Sequence, residues 1–277
     1  MVTKPVFPGS SHVNVLILGC GFTGQRVAKR LLSKGVRVIG TTREPSREDF
    51  ADLRRQGAEI IRIEDALQLI RDGFVPTGFA VLHSIPPSGP NLSPLFMEGR
   101  PSRVVYLSST AVYGEATEVN EVTAVDGSTD RSRARLLAEA EIRKGPWSTL
   151  ILRPAAIYGP GRGVQVSYPR GEYRVGDNYV SRIHVDDLAA HVDAALTSNL
   201  IGAFPVADEE PCTAREIATF CAQLLRLPMP DPAAVFTPSA ARITGNRRVD
   251  GSAIRRLLGV SLQYPSYRSG IPASLLE

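Results

Sequence analysis

Gly19, Gly21 and Gly24 fall within the run Val13 to Lys34, which reads VNVLILGCGFTGQRVAKRLLSK. A short apolar stretch, Val13 to Leu18, stops at the first of them. Beyond the last, apolar Val27, Ala28, Leu31 and Leu32 recur near spacings of three and four. That is the pattern of a buried strand, a glycine turn and an amphipathic helix. Each glycine has its own physical reason in such a turn. Gly19 permits the reversal, Gly21 lacks the Cβ that would hold a phosphate off the main chain, and Gly24 lets helix and strand pack closely. The free N–H groups at the helix start, around Phe22 and Thr23, then face an anion. The chemistry expected is the seating of a dinucleotide diphosphate.

Further candidate groups lie where later strands end. Val36 to Thr41 reads as a second strand, and NAD-binding units place an acidic residue there, about 20 residues past the first glycine, on the ribose 2′-hydroxyl. Here the sequence has Thr41-Thr42-Arg43 instead. Neutral hydroxyls and a guanidinium suit a 2′-phosphate, so Thr42 and Arg43 are expected to favour NADP(H) over NAD. The plain alternative for Arg43 is a solvated loop residue. Asp65 follows a third strand, Ala58 to Ile63, in a loop expected to pass the adenine. Ser84 and Ile85 end a fourth strand, Phe79 to Ile85, and are expected to line the groove, because ligands of doubly wound sheets bind beyond the carboxyl ends of the strands. A fifth strand, Arg103 to Ser109, runs out into the hydroxyls Ser108-Ser109-Thr110.

The elements that must position these groups alternate. Helices are expected over 46–56, with Ser46 and Asp49 as a capping box, over 66–71, and over 128–144. Residues 114–128 read as acidic loop. A sixth strand, Ser148 to Leu152, leads into Arg153-Pro154. This alternation implies an α/β fold, a Rossmann-type doubly wound parallel sheet with helices on both faces. Residues 155–182 have weak periodicity. A helix over 183–196 opens on His184-Val185-Asp186-Asp187, a strand follows at 203–206, and a helix over 213–227 carries a Thr213/Glu216 capping box. Pro228 to Pro238 reads as a proline-rich turn and Ser252 to Leu258 as the last helix. The organisation expected is a flexible tail 1–12, a dinucleotide-binding domain 13–154 to which 183–206 returns, and a small C-terminal substrate lobe from 155–182 and 207–277.

Composition narrows the class. In 277 residues, 32 Lys and Arg stand against 28 Asp and Glu, for a formal charge of +4. The basic residues sit among acids, as in Arg47-Glu48-Asp49, so no nucleic-acid stripe is expected. The cysteines Cys20, Cys212 and Cys221 have no paired spacing, which argues against disulfides or a metal site. Cys20 reads as a small residue tolerated in the glycine turn. No apolar run has transmembrane length, and residues 1–12 lack the apolar core of a secretory signal. A cytoplasmic protein without membrane contact is the expectation.

Four motifs then coincide in order: GCGFTG, LSSTAVYG at 107–114, LRPAAIYGPGR at 152–162 and RIHVDDLA at 182–189. As a set they resemble the extended short-chain dehydrogenase/reductase superfamily, which includes the NAD(P)-dependent epimerases and dehydratases. The tail, with Asn246-Arg247-Arg248-Val249 and Tyr264-Pro265, looks most like its atypical YeeZ-like branch. The resemblance implies an oxidoreductase or epimerase acting on a small molecule, and many relatives form homodimers through helices beside the fifth strand. It implies a serine, a tyrosine and a lysine at the reaction centre. The serine position falls on Ser109. Aligning the family's Y-x-x-x-K-x-x-x-E on Glu139 places Arg131 at the tyrosine and Arg135 at the lysine. Arg135 can still donate to ribose hydroxyls, and the family places nicotinamide-side contacts where Arg153 stands. A guanidinium does not deprotonate in proteins, so the usual proton shuttle is missing from its usual place. Tyr113, Tyr158, Tyr168, His83 and Glu115 are the replacements within reach by motif position, although packing explains Tyr113 and Tyr158 equally simply. The two arginines favour an anionic substrate by charge complementarity. The alternative is a dinucleotide-binding sensor or scaffold without turnover.

Overall fold

The computed structural model describes residues 14–73, 75–89, 92–229 and 246–277. The expected tail at 1–12 and most of the turn expected at 228–238 lie outside the described residues. Along the chain run β1 (Asn14–Leu18), α1 (Phe22–Leu32), β2 (Arg37–Thr41), a 3₁₀ turn (Glu48–Phe50) leading into α2 (Ala51–Arg55), β3 (Glu59–Ile61), α3 (Ile63–Arg71), β4 (Ala80–His83), α4 (Ser93–Gly99) and β5 (Arg103–Leu107). A second 3₁₀ turn (Thr110–Tyr113), β6 (Glu118–Val119), α5 (Asp130–Arg143), β7 (Ser148–Pro154), β8 (Ala156–Tyr158), α6 (Val164–Ser167), β9 (Tyr179–Val180), β10 (Arg182–His184) and α7 (Val185–Thr197) follow. The chain closes with β11 (Gly202–Val206), β12 (Cys212–Thr213), α8 (Ala214–Leu225), β13 (Arg248–Val249), α9 (Ser252–Leu258) and α10 (Tyr267–Ser274).

Seven strands form one parallel sheet in the order β11-β7-β5-β4-β1-β2-β3. From β1 the chain builds outward through β2 and β3, then returns to set β4 on β1's other side, pairing Leu18 with His83. The crevice at that reversal is where such sheets hold ligands. The strands are apolar throughout because both faces are covered. Val15 and Ile17 pack with Val27, Leu31 and Val192 on one face, while Leu16 and Leu18 pack with Phe96, Tyr106 and Ile151 on the other. Each such side chain contributes about 1.5–3 kcal/mol by leaving water. α1 packs on α7, and Arg30 and Lys34 both reach the buried carboxylate of Asp193, at 2.7 and 2.5 Å. Past the end of α1, Gly35 takes φ +74°, a conformation that suits glycine.

Four local expectations differ from the structure. Ser46 caps nothing: the helix begins later, through the 3₁₀ turn, and Arg47 holds the Asp49 carboxylate. α4 sits in a stretch whose prolines hid it, yet a proline in a first turn is compatible with a helix. The loop at 114–128 contains β6, which pairs in parallel with β13 more than a hundred residues away. α10 follows the helix expected to be last. Pro272 and Gly270 mask it in sequence, and the Ser266 hydroxyl accepts from the Arg268 N–H at its start. Within 155–182, β8 pairs with β10 and β9 with β12. A third apolar cluster there joins Tyr158, Tyr173, Cys212, Ile217, Tyr267 and Ile271. No helix among the described residues is long and apolar enough to cross a membrane.

Candidate functional site

At the end of β1 the three glycines meet three different environments. Gly19 has φ +89°, and a Cβ there would lie 3.0 Å from both Ser84 Oγ and Ile85 Cγ1. A Cβ on Gly24 would stand 2.7 Å from the Gly19 carbonyl oxygen and 3.1 Å from Ile17 Cγ2. A Cβ on Gly21, which caps α1, would meet nothing within 4 Å. The space above Gly21 is a cradle, and it is open on the side of the first helical turn. The amides of Phe22, Thr23 and Gly24 lie in that turn, where a helix has no earlier carbonyl to offer them. This is the geometry a diphosphate needs.

Neighbouring strands hold the loop in place. The Gly19 N–H donates to Thr41 Oγ1 at 3.1 Å and the Cys20 N–H to the Thr41 carbonyl at 2.7 Å. Ser84 Oγ donates to the carbonyls of Leu18 and Gly19, at 3.1 and 2.7 Å. Ser84 is therefore spent on the loop's carbonyls. Thr41, 1% exposed, holds the loop, so of the two hydroxyls read as suited to a 2′-phosphate this one faces the glycine turn instead. Cys20 points inward against Gly40, and burial pushes its thiol up to about 12. Thr42 is half-buried and its N–H donates to the Ile61 carbonyl. Arg43, just past β2, is exposed. Asp65 departs from expectation. It lies in the first turn of α3, not in a loop, and its carboxylate accepts from the Arg62 N–H at 3.3 Å. A helix-capping role accounts for it.

The other end of the groove begins where β5 stops. Ser109 caps the 3₁₀ turn, its Oγ accepting from the Ala111 N–H at 3.2 Å, which leaves its own proton to donate. α5 packs against this turn and against β5. Arg131 and Arg135 lie one turn apart on α5, Arg131 exposed and Arg135 half-buried beside the Tyr106 hydroxyl. Burial holds the Arg135 guanidinium below its usual range, and the positive charge of Arg131 adds to that.

Arg153 also departs from expectation. Its Nε and Nη2 grip Glu139 at 3.0 and 2.7 Å, and its Nη1 donates to the Tyr113 hydroxyl at 3.2 Å. The side chains of this ion pair are 8% and 1% exposed. A guanidinium committed on all sides in a dry site fastens β7 to α5 rather than facing a coenzyme. The family motif's glutamate thus has a structural partner that spacing alone does not disclose.

The tyrosines, histidine and glutamate that the sequence offered as proton donors have settings of their own. Burial raises the Tyr113 hydroxyl above the usual range, against the pull of the Arg153 guanidinium over its ring. Tyr158 donates to the Ser266 carbonyl at 3.2 Å and is raised further by burial. Tyr168 donates to the Pro228 carbonyl at 2.5 Å. His83 is wedged against Tyr106 and Phe96 and accepts from the Ile85 N–H through Nδ1. Burial pushes it down to about 4, so it is neutral. Glu115 is exposed.

The cluster at 246–248 turns out to be a clasp. Asn246 accepts from the Tyr179 N–H, Arg248 stacks on the Tyr179 ring, and Arg247 donates to the carbonyls of Thr110, Gly114 and Ala116. Arg247 thereby fixes the turn that follows Ser109. Asp187 accepts from the Gln263 and Tyr264 N–H groups at 2.7 and 2.9 Å, tying the C-terminal segment to α7. Among the described residues no group of His, Cys, Asp and Glu could hold a metal ion.

A parallel sheet reversing at β1 and β4, with an open glycine cradle at the reversal, is the Rossmann-type fold of the NAD-dependent epimerase/dehydratases. No protein-family model matches the chain. Among solved structures, a functionally unknown conserved protein from Silicibacter pomeroyi DSS superposes with a TM-score of 0.78 at 30% identity, over 95% of this chain and 98% of that one. The Bordetella bronchiseptica enzyme WbmG, in complex with NAD and UDP, superposes with a TM-score of 0.75 at 18% identity, over 96% and 94%. Protein YeeZ of Escherichia coli (strain K12) is 26% identical across 91% of this chain and 96% of its own. The chain belongs to the same family as the functionally unknown Silicibacter pomeroyi protein, and it shares its fold with NAD-dependent epimerase/dehydratases.

Proposed function

We propose that this protein binds a nicotinamide dinucleotide, NADP(H) in preference to NAD, and acts on an anionic small molecule as an oxidoreductase or epimerase-like enzyme. The observation that carries this reading is the open space above Gly21 between two glycines that are sterically obliged. In this reading the amides of Phe22, Thr23 and Gly24 hold the diphosphate, Thr42 and Arg43 the 2′-phosphate, and Arg135 the ribose hydroxyls. The coenzyme supplies a hydride donor or acceptor when bound. Ser109 gives its free proton to a substrate carbonyl or hydroxyl as a hydrogen bond, and Arg131 and Arg135 offset negative charge nearby. The substrate lies between the sheet and a lobe made from 155–182 and 207–277. Within that lobe a cavity of about 270 Å³ is lined by Tyr158, Arg162, Gln165 and Tyr173. A cytoplasmic homodimer fits the same reading.

One observation favours a second reading, a coenzyme-binding sensor or scaffold. The tyrosines and histidine offered as replacements for the proton shuttle are neutral and committed to packing or to hydrogen bonds. The two readings part in one experiment. Purified protein is titrated with NADPH by calorimetry, then incubated with NADPH and a panel of keto acids and nucleotide sugars while nicotinamide absorbance is followed. Turnover that Ser109→Ala removes supports the enzyme. Tight binding with no turnover across the panel supports the sensor.

A further inference from the structure

We propose that Arg162 is a coenzyme-diphosphate ligand, supplied from across the groove by the loop that follows β8; this rests on the dinucleotide reading above. The Arg162 guanidinium sits 5.2 Å from the centroid of the Phe22 ring, and Phe22 is the first residue of α1, directly after the open Gly21. The loop that presents it is firmly built. Gly159 and Arg162 exchange backbone hydrogen bonds of 2.9 and 3.0 Å, and the buried Gln165 amide donates to both of their carbonyls. Gly159 packs so closely on the start of α1 that a Cβ there would lie 3.4 Å from the Phe22 ring and 2.6 Å from Val185.

Charge gives this placement its meaning. A helix N-terminus offers about half a positive charge, whereas a dinucleotide diphosphate carries about two negative ones near neutral pH. Main-chain amides alone leave most of that charge unbalanced. Arg26, on the same helix, is already engaged by Glu277 at 2.8 Å and Asp186 at 3.6 Å. Arg162 is exposed, and no carboxylate among the described residues lies within ion-pair distance of it. The Phe22 face orients the guanidinium without neutralising it, which keeps the full charge and its hydrogen-bond donors available for an anion.

The test is calorimetric titration of wild type, Arg162→Ala and Arg162→Lys with NAD, NADP and ADP-ribose, at low and at physiological salt. ADP-ribose carries the diphosphate without the nicotinamide. Arg162→Ala should weaken all three ligands by about tenfold, the loss of one charge-assisted hydrogen bond. It should also flatten the salt dependence of binding, which a merely structural change would leave alone. Arg162→Lys should recover part of the loss, and the melting temperature should be unmoved, since the side chain is exposed. Arg162→Ala binding ADP-ribose as the wild type does, with the same salt slope, overturns the proposal and leaves the dinucleotide reading standing. Wild type that binds none of the three ligands removes that reading, and this proposal with it.

Discussion

The two ends of the groove are made of different materials. The glycine-turn end, at β1 and α1, is main chain: glycines placed by steric necessity and amides left free by helix geometry, steadied by Thr41 and Ser84. The far end, at β5, α5 and β7, is side chain: Ser109, the Arg131 and Arg135 pair, and the buried grip of Arg153 on Glu139. A main-chain site survives most substitutions because it needs only small residues at a few positions. A side-chain site changes its chemistry with a single replacement. A fold and its main-chain turn can therefore persist across a family while the chemistry at the side-chain end changes.

The sharpest way to probe the side-chain end is to break its buried pair. Glu139→Ala strands the Arg153 guanidinium in a dry site and should lower unfolding free energy by about 3–5 kcal/mol, measured by urea denaturation. Replacing both partners with methionine should restore most of it, because no charge is left unpaired. A mild effect from Glu139→Ala would mean that Arg153 is not committed to Glu139 and is free for a ligand. The main-chain end should respond in the opposite manner to two similar changes. Gly24→Ala forces a methyl to 2.7 Å from a backbone oxygen. Overpacking of that kind costs about 1–3 kcal/mol and outweighs the gain of up to about 1 kcal/mol for alanine in a helix. Gly21→Ala meets open space, so stability should hold while NADPH affinity falls about tenfold or more as the methyl fills the cradle. Equal stability losses for the two would erase the distinction drawn between them.

What could be read in advance follows the same division. The glycine turn, the alternation behind the sheet and the Thr213/Glu216 box were legible because each is a local pattern with a local cause. The Arg153–Glu139 grip and the Arg247 clasp were not. Their partners are 14 residues apart in one case and as many as 137 in the other, and no local spacing encodes such a meeting. Asp65 misled for a related reason: a carboxylate just past a strand can serve a ligand or cap the next helix, and only the helix's starting point decides. α4 and α10 were missed because proline reads as a breaker, although α4 has it only in the first turn.

Protonation should separate the fold from the seat. Burial pushes His83, His184 and His191 each down to about 4, and the Nε2 of His191 has no partner among the described residues. Between that value and the ordinary histidine pKa, the unfolded chain binds more protons than the folded one, so stability rises with pH across roughly 4 to 6.5. Asp208 works the other way. Burial raises it to about 8, the folded chain holds its proton longer, and stability falls as pH climbs toward that value. Three histidines outweigh one aspartate below about 6.5, and above it the aspartate alone remains. The melting temperature should therefore peak near pH 6.5, by several degrees over pH 5, and Asp208→Asn should flatten the alkaline side. Among the described residues the proposed phosphate seat holds no group that titrates in this window, as Cys20 lies near 12. ADP-ribose affinity should stay level from pH 6 to 8, and a slope there would place a titrating side chain in the seat.

The smallest expected effect bears on Arg43, the side chain asked to choose the coenzyme. Arg43 is exposed beyond β2, so its removal should leave stability within about 0.5 kcal/mol. A guanidinium on a 2′-phosphate is worth about 1.5–3 kcal/mol when shielded, and solvent and salt reduce that for an exposed group. Arg43→Ala should then lower the NADPH-to-NADH affinity ratio about tenfold at low ionic strength and only a few-fold at physiological salt, with NADH binding itself unchanged. If the ratio does not move at low ionic strength, where the charge is least screened, Arg43 is a solvated loop residue. Coenzyme choice must then come from the hydroxyl of Thr42 or from the shape of the turn around it. The seat beneath would be untouched by that result, because none of its contacts involves Arg43.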